Sequence, residues 1–283
     1  MTTRGVWAFL ILCLIADPAA GQWPTDPMVN VALCNAGGSQ AGNGLIAIPS
    51  INGGTIAAWQ DDRHSDNDIY AQRLSSIGET QWPDDGVPVC TAAGSQFALQ
   101  GVGDGAGGAI LVWVDLRDGE ADIYAQRIDP DGNLMWPVGS PSLDGVPVCA
   151  TAEHQTWINV VSDGSGGAIV TWEHGGSPGD IHAQRLDSDG EIQWGPGDGV
   201  VVSDATGIQQ WARIVSDGAG GAILVWTDGR NNPTSSYDIY AQRIDASGAT
   251  QWAGDLPVCT LTQAQTYPAI AADGLGGAFM AWF

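Results

Sequence analysis

Apolar and polar positions along this chain recur in a fixed order, about every 55 residues. A Gly-Gly pair, three or four apolar residues and a tryptophan occur at Gly53–Trp59, Gly107–Trp113, Gly166–Trp172, Gly220–Trp226 and Gly276–Trp282. The steps between these tryptophans are 54, 59, 54 and 56 residues. A second segment, Asp-Ile-Tyr-Ala-Gln-Arg, stands at Asp68–Arg73, Asp122–Arg127 and Asp238–Arg243, and at Asp180–Arg185 with His182 in the tyrosine place. Nine residues after each of these arginines comes another tryptophan, at Trp82, Trp136, Trp194 and Trp252; Trp23 holds the same place ahead of the first repeat. A Val-Pro-Val-Cys segment or a relative follows, ending at Cys34, Cys90, Cys149, Ser203 and Cys259, with a glutamine six residues later at Gln40, Gln96, Gln155, Gln209 and Gln265. Self-similarity of this length marks a repeat architecture.

Each unit predicts four short strands. The first follows the glutamine and ends in Asp-Gly-x-Gly-Gly, a hairpin turn whose glycines supply positive φ. The second, Ala-Ile-Leu-Val-Trp, is a continuous apolar run, the pattern of a strand buried on both faces. The third, Asp-Ile-Tyr-Ala-Gln-Arg-Ile, has alternating faces. The fourth carries Pro88, Pro147 or Pro257, which fits an outer edge, because proline cannot donate to a ladder. Four strands per unit with a tryptophan among the buried ones predict an all-β chain, a β-propeller of four-stranded blades. A β-solenoid is the alternative, though its repeats run shorter. Independent sandwiches are disfavoured, since 55 residues in four short strands bury too little alone.

The unit Gly-Gly-Ala-Ile-Leu-Val-Trp-x-Asp-x-Arg followed by Asp-Ile-Tyr-Ala-Gln-Arg-Ile-Asp resembles the TolB-like β-propeller repeats of secreted bacterial proteins, most of them uncharacterised. The resemblance covers Gln22 to Phe283, implies a propeller, and carries no activity. The third repeat departs from it, with Glu173-His174-Gly175-Gly176 in place of Asp-x-Arg. Four full repeats are flanked by partial ones, so the expectation is an incomplete ring, a fragment truncated within a blade. Closure of five blades, the last with three strands, is the other arrangement.

Residues 1–21 read as a signal peptide: Arg4, then the apolar Gly5–Ala16, then the small Ala19, Ala20 and Gly21. The apolar stretch is too short for a permanent membrane span. Residues 22–283 are then the propeller domain, secreted or held at the cell surface, and a monomer is expected.

Charge narrows the partners. Among 283 residues are 32 acids and nine basic residues, all arginine, for a formal net charge of −23. A polyanion would be repelled, which excludes nucleic acid and argues against anionic membrane surfaces. Seven arginines hold repeat positions: Arg63, Arg117 and Arg230 in Asp-x-Arg, and Arg73, Arg127, Arg185 and Arg243 in the third strand. They are expected to pair with repeat aspartates, because a planar guanidinium grips a carboxylate bidentately. Only Arg213 of the mature chain stands outside the repeat. Ten of the 13 tryptophans are repeat residues and predict packing between blades. Trp157 and Trp211 lie in first strands near the central channel, where packing along the channel is the expected role and stacking on a sugar the alternative.

The remaining chemistry is sparse. Asp129-Pro-Asp131-Gly132-Asn133 and Asp187-Ser-Asp189-Gly190-Glu191 approach calcium-loop spacing but lack the full set, so turn chemistry explains them. Gly132 stands four residues before Trp136 rather than the three of a sialidase Asp-box. Equivalent cysteines on neighbouring blades lie too far apart for a disulfide, and small buried free thiols are expected. His154, His174 and His182 fall in the third repeat, where compensating drift within one diverged repeat is the expectation and a metal site, should they meet, the alternative. No nucleophile triad, phosphate loop, dinucleotide fingerprint or His-Glu-x-x-His motif occurs. No catalytic, cofactor-binding or metal residue is therefore assigned, and no cofactor beyond weak calcium binding by the acidic surface is expected. The residues read as an exported non-enzymatic propeller that binds an unidentified protein or glycan. The alternative is a propeller-fold glycan hydrolase or lyase built from blade-specific residues such as Glu153, His154, Trp157 and Arg213.

Overall fold

The computed structural model describes residues 31–40, 44–137, 144–175, 179–231 and 236–283. The segment read as a signal peptide and the strand around Trp23 lie outside them. The first sheet joins β1 (Ile46–Pro49), β2 (Thr55–Asp61), β3 (Asp68–Leu74) and β4 (Val87–Cys90). The second joins β5 (Gln96–Gly103), β6 (Ala109–Asp115), β7 (Asp122–Ile128) and β8 (Val146–Cys149). The third holds β9 (Gln155–Ser162), β10 (Ala168–His174), β11 (Asp180–Leu186) and β12 (Val200–Ser203). The fourth holds β13 (Gln209–Ser216), β14 (Ala222–Asp228), β15 (Asp238–Ile244) and β16 (Leu256–Cys259). A two-stranded sheet follows, β17 (Ala269–Ala272) with β18 (Ala278–Ala281). Every four-stranded sheet is an antiparallel meander in chain order, the blade of a β-propeller. Among the described residues no helix is long and apolar enough to cross a membrane.

The hairpin between first and second strands shows why the sequence folds this way. In the second sheet, Asp104 Oδ1 accepts the amides of Ala106 and Gly108, both at 2.8 Å. Gly107 has φ +92°, and a Cβ on Gly108 would lie 2.2 Å from the carbonyl oxygen of Ile128. A side chain at either place is therefore strained or blocked. The second strand that follows is buried at all seven positions.

The third strand alternates in residue type yet is buried almost throughout. Six of the seven residues of β7 are buried, and only Arg127 is half-buried. Neighbouring sheets cover both faces, and the polar members are bonded within the sheet. Gln126 Nε2 donates to the Trp136 carbonyl at 2.7 Å, and Gln126 Oε1 accepts the Trp136 amide at 2.8 Å. The strand alternates in residue type without alternating in exposure. The fourth strand is the edge, as proline requires, and the ladder shifts register where Tyr124 meets Pro147.

Hydrophobic clusters form between sheets. One joins Ile110, Val112, Trp136 and Val148 of the second repeat to Ile158, Val170 and Trp172 of the third. Another joins the third and fourth repeats through Trp194, Ala212, Leu224 and Trp226. Burying an indole on both faces is a large contribution to stability. Polar clasps reinforce them. The Trp82, Trp136 and Trp194 indole N–H groups donate to Pro130, Ser188 and Ala246 of the next repeat, at 3.1, 3.0 and 3.1 Å. Arg127 and Arg185 donate to the same Ser188 and Ala246 carbonyls, at 3.0 and 3.2 Å.

The described cysteines are all free thiols. Cys90 and Cys149 are buried as expected, and burial pushes both up to about 12. Cys34 and Cys259 are only half-buried, a correction to the expectation. Cys34 lies ahead of the first sheet, and Cys259 faces the smaller β17–β18 sheet, so each has less cover.

Candidate functional site

The loop from second to third strand is the first place where polar side chains converge. In the second repeat, Arg117 grips Asp115 with Nε at 3.0 Å and Nη2 at 2.6 Å. The Trp113 indole donates to the same carboxylate at 2.8 Å. The guanidinium lies 3.7 Å over the Tyr124 ring and also reaches the Asp144 carbonyl at 2.8 Å. Burial pushes the Asp115 carboxyl up, but the bonds from Arg117 and Trp113 outweigh it, leaving the group below its ordinary value. Arg63 with Asp61 and Arg230 with Asp228 repeat the arrangement. In the third strands, Arg127, Arg185 and Arg243 pair with Asp104, Asp163 and Asp217 of the hairpin turns. Arg73 meets Ser50 Oγ at 3.2 Å instead, because serine holds the aspartate place in that turn. These arginines are structural. A cleft of 460 Å³ beside β12 and β16 is lined by Ser203, Arg230 and Asp255. Its guanidinium is already held by Asp228 and Asp255, both at 2.6 Å.

The third repeat rebuilds the loop. His174 stacks on His182 with ring centroids 4.3 Å apart and planes 22° apart. The Trp172 indole N–H reaches His174 Nδ1 at 3.4 Å, and His182 Nδ1 meets the Asp198 carbonyl at 3.0 Å. The histidine pair thus takes over the tryptophan and carbonyl contacts that aspartate and arginine make elsewhere. Burial, then the neighbouring His182, lowers the pKa of His174. His154 does not join them; its Nε2 lies 3.4 Å from Glu120, while Glu153 stands 3.4 Å from His174. Among the described residues, no group of three or more His, Cys, Asp or Glu side chains is placed to hold a metal ion.

The second convergence lies on the first strands, which run beside one another from sheet to sheet. Each of β5, β9 and β13 carries a bulge against its partner. Two residues past the repeat glutamine, the backbone turns left-handed: Ala98, Trp157, Trp211 and Tyr267 have φ of 54°, 54°, 58° and 53°. Left-handed bulky residues are uncommon, and bulges re-aim side chains. Here they turn aromatic rings outward. Trp157 is 52% exposed and Tyr267 58%. Trp211 stacks on Tyr267 at 4.2 Å with planes 13° apart. Two residues further along the same strands, Arg213 Nη1 lies 3.4 Å from Asn159 Oδ1, and Asn159 Nδ2 donates to the Ala212 carbonyl at 3.0 Å. Beneath them Glu173, 9% exposed, accepts the Trp211 amide on Oε1 at 2.6 Å. Burial pushes this carboxyl up to about 7, against the lowering effect of that amide.

Of the blade-specific residues named from sequence, Trp157 and Arg213 belong to this shelf, whereas His154 and Glu153 engage Glu120 and His174. Sequence reasoning misses Tyr267, Asn159 and the role of Glu173. The signal for Tyr267 is its place two residues after Gln265, matching Trp157 and Trp211. For Glu173 it is a carboxylate at the buried position that holds Gln60, Val114 and Thr227 in the other repeats.

No family model matches this chain, and no curated protein matches it. Among solved structures, it is similar to an endo-arabinase from Bacteroides thetaiotaomicron at 14% identity, covering 80% of this chain and 84% of that one, with a TM-score of 0.44. A TolB-type protein from Agrobacterium tumefaciens aligns at 15% identity over 86% of this chain and 77% of the other, TM-score 0.42. A glycosyl hydrolase from Bacteroides ovatus aligns at 11% identity over 79% and 72%, TM-score 0.41. The likeness is to the architecture, and the chemistry of this chain rests on its own residues.

Proposed function

We propose that this chain is an exported, non-enzymatic propeller module that binds a glycan on the aromatic shelf of its third, fourth and fifth repeats. One observation carries the reading: three aromatic residues at equivalent left-handed positions in consecutive repeats, two of them more than half exposed. Flat exposed rings match the apolar face of a sugar, and the Asn159 amide and Arg213 guanidinium beside them can bond hydroxyls. Few convergent polar groups on an aromatic surface is the pattern of a ligand site. A net charge of −23 disfavours polyanions and leaves neutral or sparsely charged glycans. Affinity electrophoresis against a panel of soluble polysaccharides tests this. Retardation by at least one, weakened about tenfold in Trp157→Ala or Trp211→Ala, is the expected result; tenfold is about 1.4 kcal/mol. Unretarded migration on every glycan overturns it.

Glu173 favours a second reading, glycan hydrolysis or elimination, because a carboxyl titrating near neutrality is suited to general acid catalysis. Against it stand the burial of Glu173 and the engagement of Oε1 by the Trp211 backbone. New reducing ends or unsaturated products from a retarding polysaccharide would establish this second reading.

A further inference from the structure

We infer that Glu173 is a positioning residue for the shelf: its carboxylate reaches from the third sheet to the fourth and anchors the Trp211 amide, and thereby the stack on Tyr267. The inference deepens the binding reading, and its test needs no ligand. A bulge leaves one amide outside the ladder, and an unpaired amide at a partly buried place is costly. In β13 the ladder skips from Gln210 to Arg213, and the Trp211 amide in the gap is taken by Glu173 Oε1 at 2.6 Å. The bond crosses from one sheet to the next, so it ties the bulge to a strand with no freedom of its own.

The repeats contain their own controls. The position after the second-strand tryptophan is Gln60, Val114, Glu173 and Thr227. Val114 is buried in β6, so an apolar residue is accommodated there by the fold, and Trp157 of the next repeat is left-handed without a carboxylate; the turn belongs to the repeat, and the anchored amide is what Glu173 adds. On β10, Glu173 pairs with Ile181 of β11 and Thr156 of β9, neither of them titratable. The charged or titratable residues of the packed strands are Asp180, His182 and Arg185 on β11 and Arg213 on β13, with His174 on its own strand. None of these is among the influences on Glu173, which are burial and the Trp211 amide. Ionisation makes the bond charge-assisted and stronger, so the hold on Trp211 tightens as the carboxyl loses its proton.

Aromatic circular dichroism measures the stack directly. The difference between the parent chain and Tyr267→Ala defines the Trp211–Tyr267 signal. That signal is expected to grow between about pH 6 and about pH 8 in the parent. Glu173→Gln, which keeps a neutral acceptor without a titrating group, holds it at the parent's low-pH level at all pH values. Glu173→Val, the residue that β6 carries at this place, loses most of it while thermal denaturation still reports a folded chain. An undiminished signal in folded Glu173→Val, or a pH-independent signal in the parent, overturns the inference. Should Glu173→Val not fold, the contrast between the parent and Glu173→Gln decides alone. Failure of every polysaccharide to bind would sink the binding reading and leave this result standing.

Discussion

The second and third repeats share a fold and differ in how they handle the same places. The second keeps Asp115, Arg117 and Tyr124, a gripped carboxylate under a guanidinium and a ring. The third has His174 and His182, stacked and lightly bonded. Where the second buries Val114, the third buries Glu173; where the second turns out Ala98, the third turns out Trp157. The substitutions at the loop compensate one another within the repeat. Glu173 and Trp157 compensate nothing inside the repeat, and both belong to the shelf. Regularity therefore marks scaffold, and the informative departures are those with no partner change in the same repeat.

Mutating both repeats in parallel should break or sharpen this contrast. Asp115→Ala strands a half-buried guanidinium and a buried indole N–H, and should cost about 3 kcal/mol in urea unfolding. His174→Ala should cost less than half of that, since its contacts are longer and neutral; equal losses would erase the distinction between the loops. Next is pH. The folded Asp115 carboxyl lies below its ordinary value, so its contribution is present at neutral pH and is lost as pH falls through the depressed pKa. Glu173 has the opposite sign. Its folded pKa of about 7 stands above the ordinary value of 4.5, so its contribution is complete below about pH 4.5 and is lost as pH rises through 7. Glu173→Gln should be more stable than the parent by up to about 3 kcal/mol at pH 8 and no different at pH 4. Calorimetric melting temperatures at the two pH values check it.

Smaller effects follow. Trp157→Ala should change unfolding free energy by under about 0.5 kcal/mol, since its ring is half exposed, whereas Trp113→Ala should lose about 3–5 kcal/mol. The smallest is chemical. Alkylation mapped by mass spectrometry should reach Cys34 and Cys259 before Cys90 and Cys149, whose thiols are buried and held protonated. Uniform labelling would contradict the ordering.

Most of the architecture is legible in the chain. Glycine pairs, apolar second strands and edge prolines have local physical causes, and each cause leaves a residue in a fixed place. The exposure of the third strand is not legible, because Gln126 and Asp122 look like solvent-facing residues until the neighbouring sheet is present. The pairing of Arg127 with Asp104 is half legible: the arginine recurs visibly, but its partner lies 23 residues earlier in a turn. The shelf is the hardest to see. Trp157 and Trp211 stand out as extra tryptophans, but a left-handed bulge has no composition of its own. Alanine and tyrosine occupy the same place as tryptophan.

The clasps between sheets have a direction. Trp82, Trp136 and Trp194 each hold the turn of the following repeat, reaching 48, 52 and 52 residues ahead. The second and third repeats thus each carry both a hook and an eye, a few residues apart. A stretch of coding sequence copied in tandem would bring both, and the new sheet would latch to its neighbours without a single compensating mutation. Such a chain can grow by duplication first and acquire individual residues, as the third repeat has, afterwards.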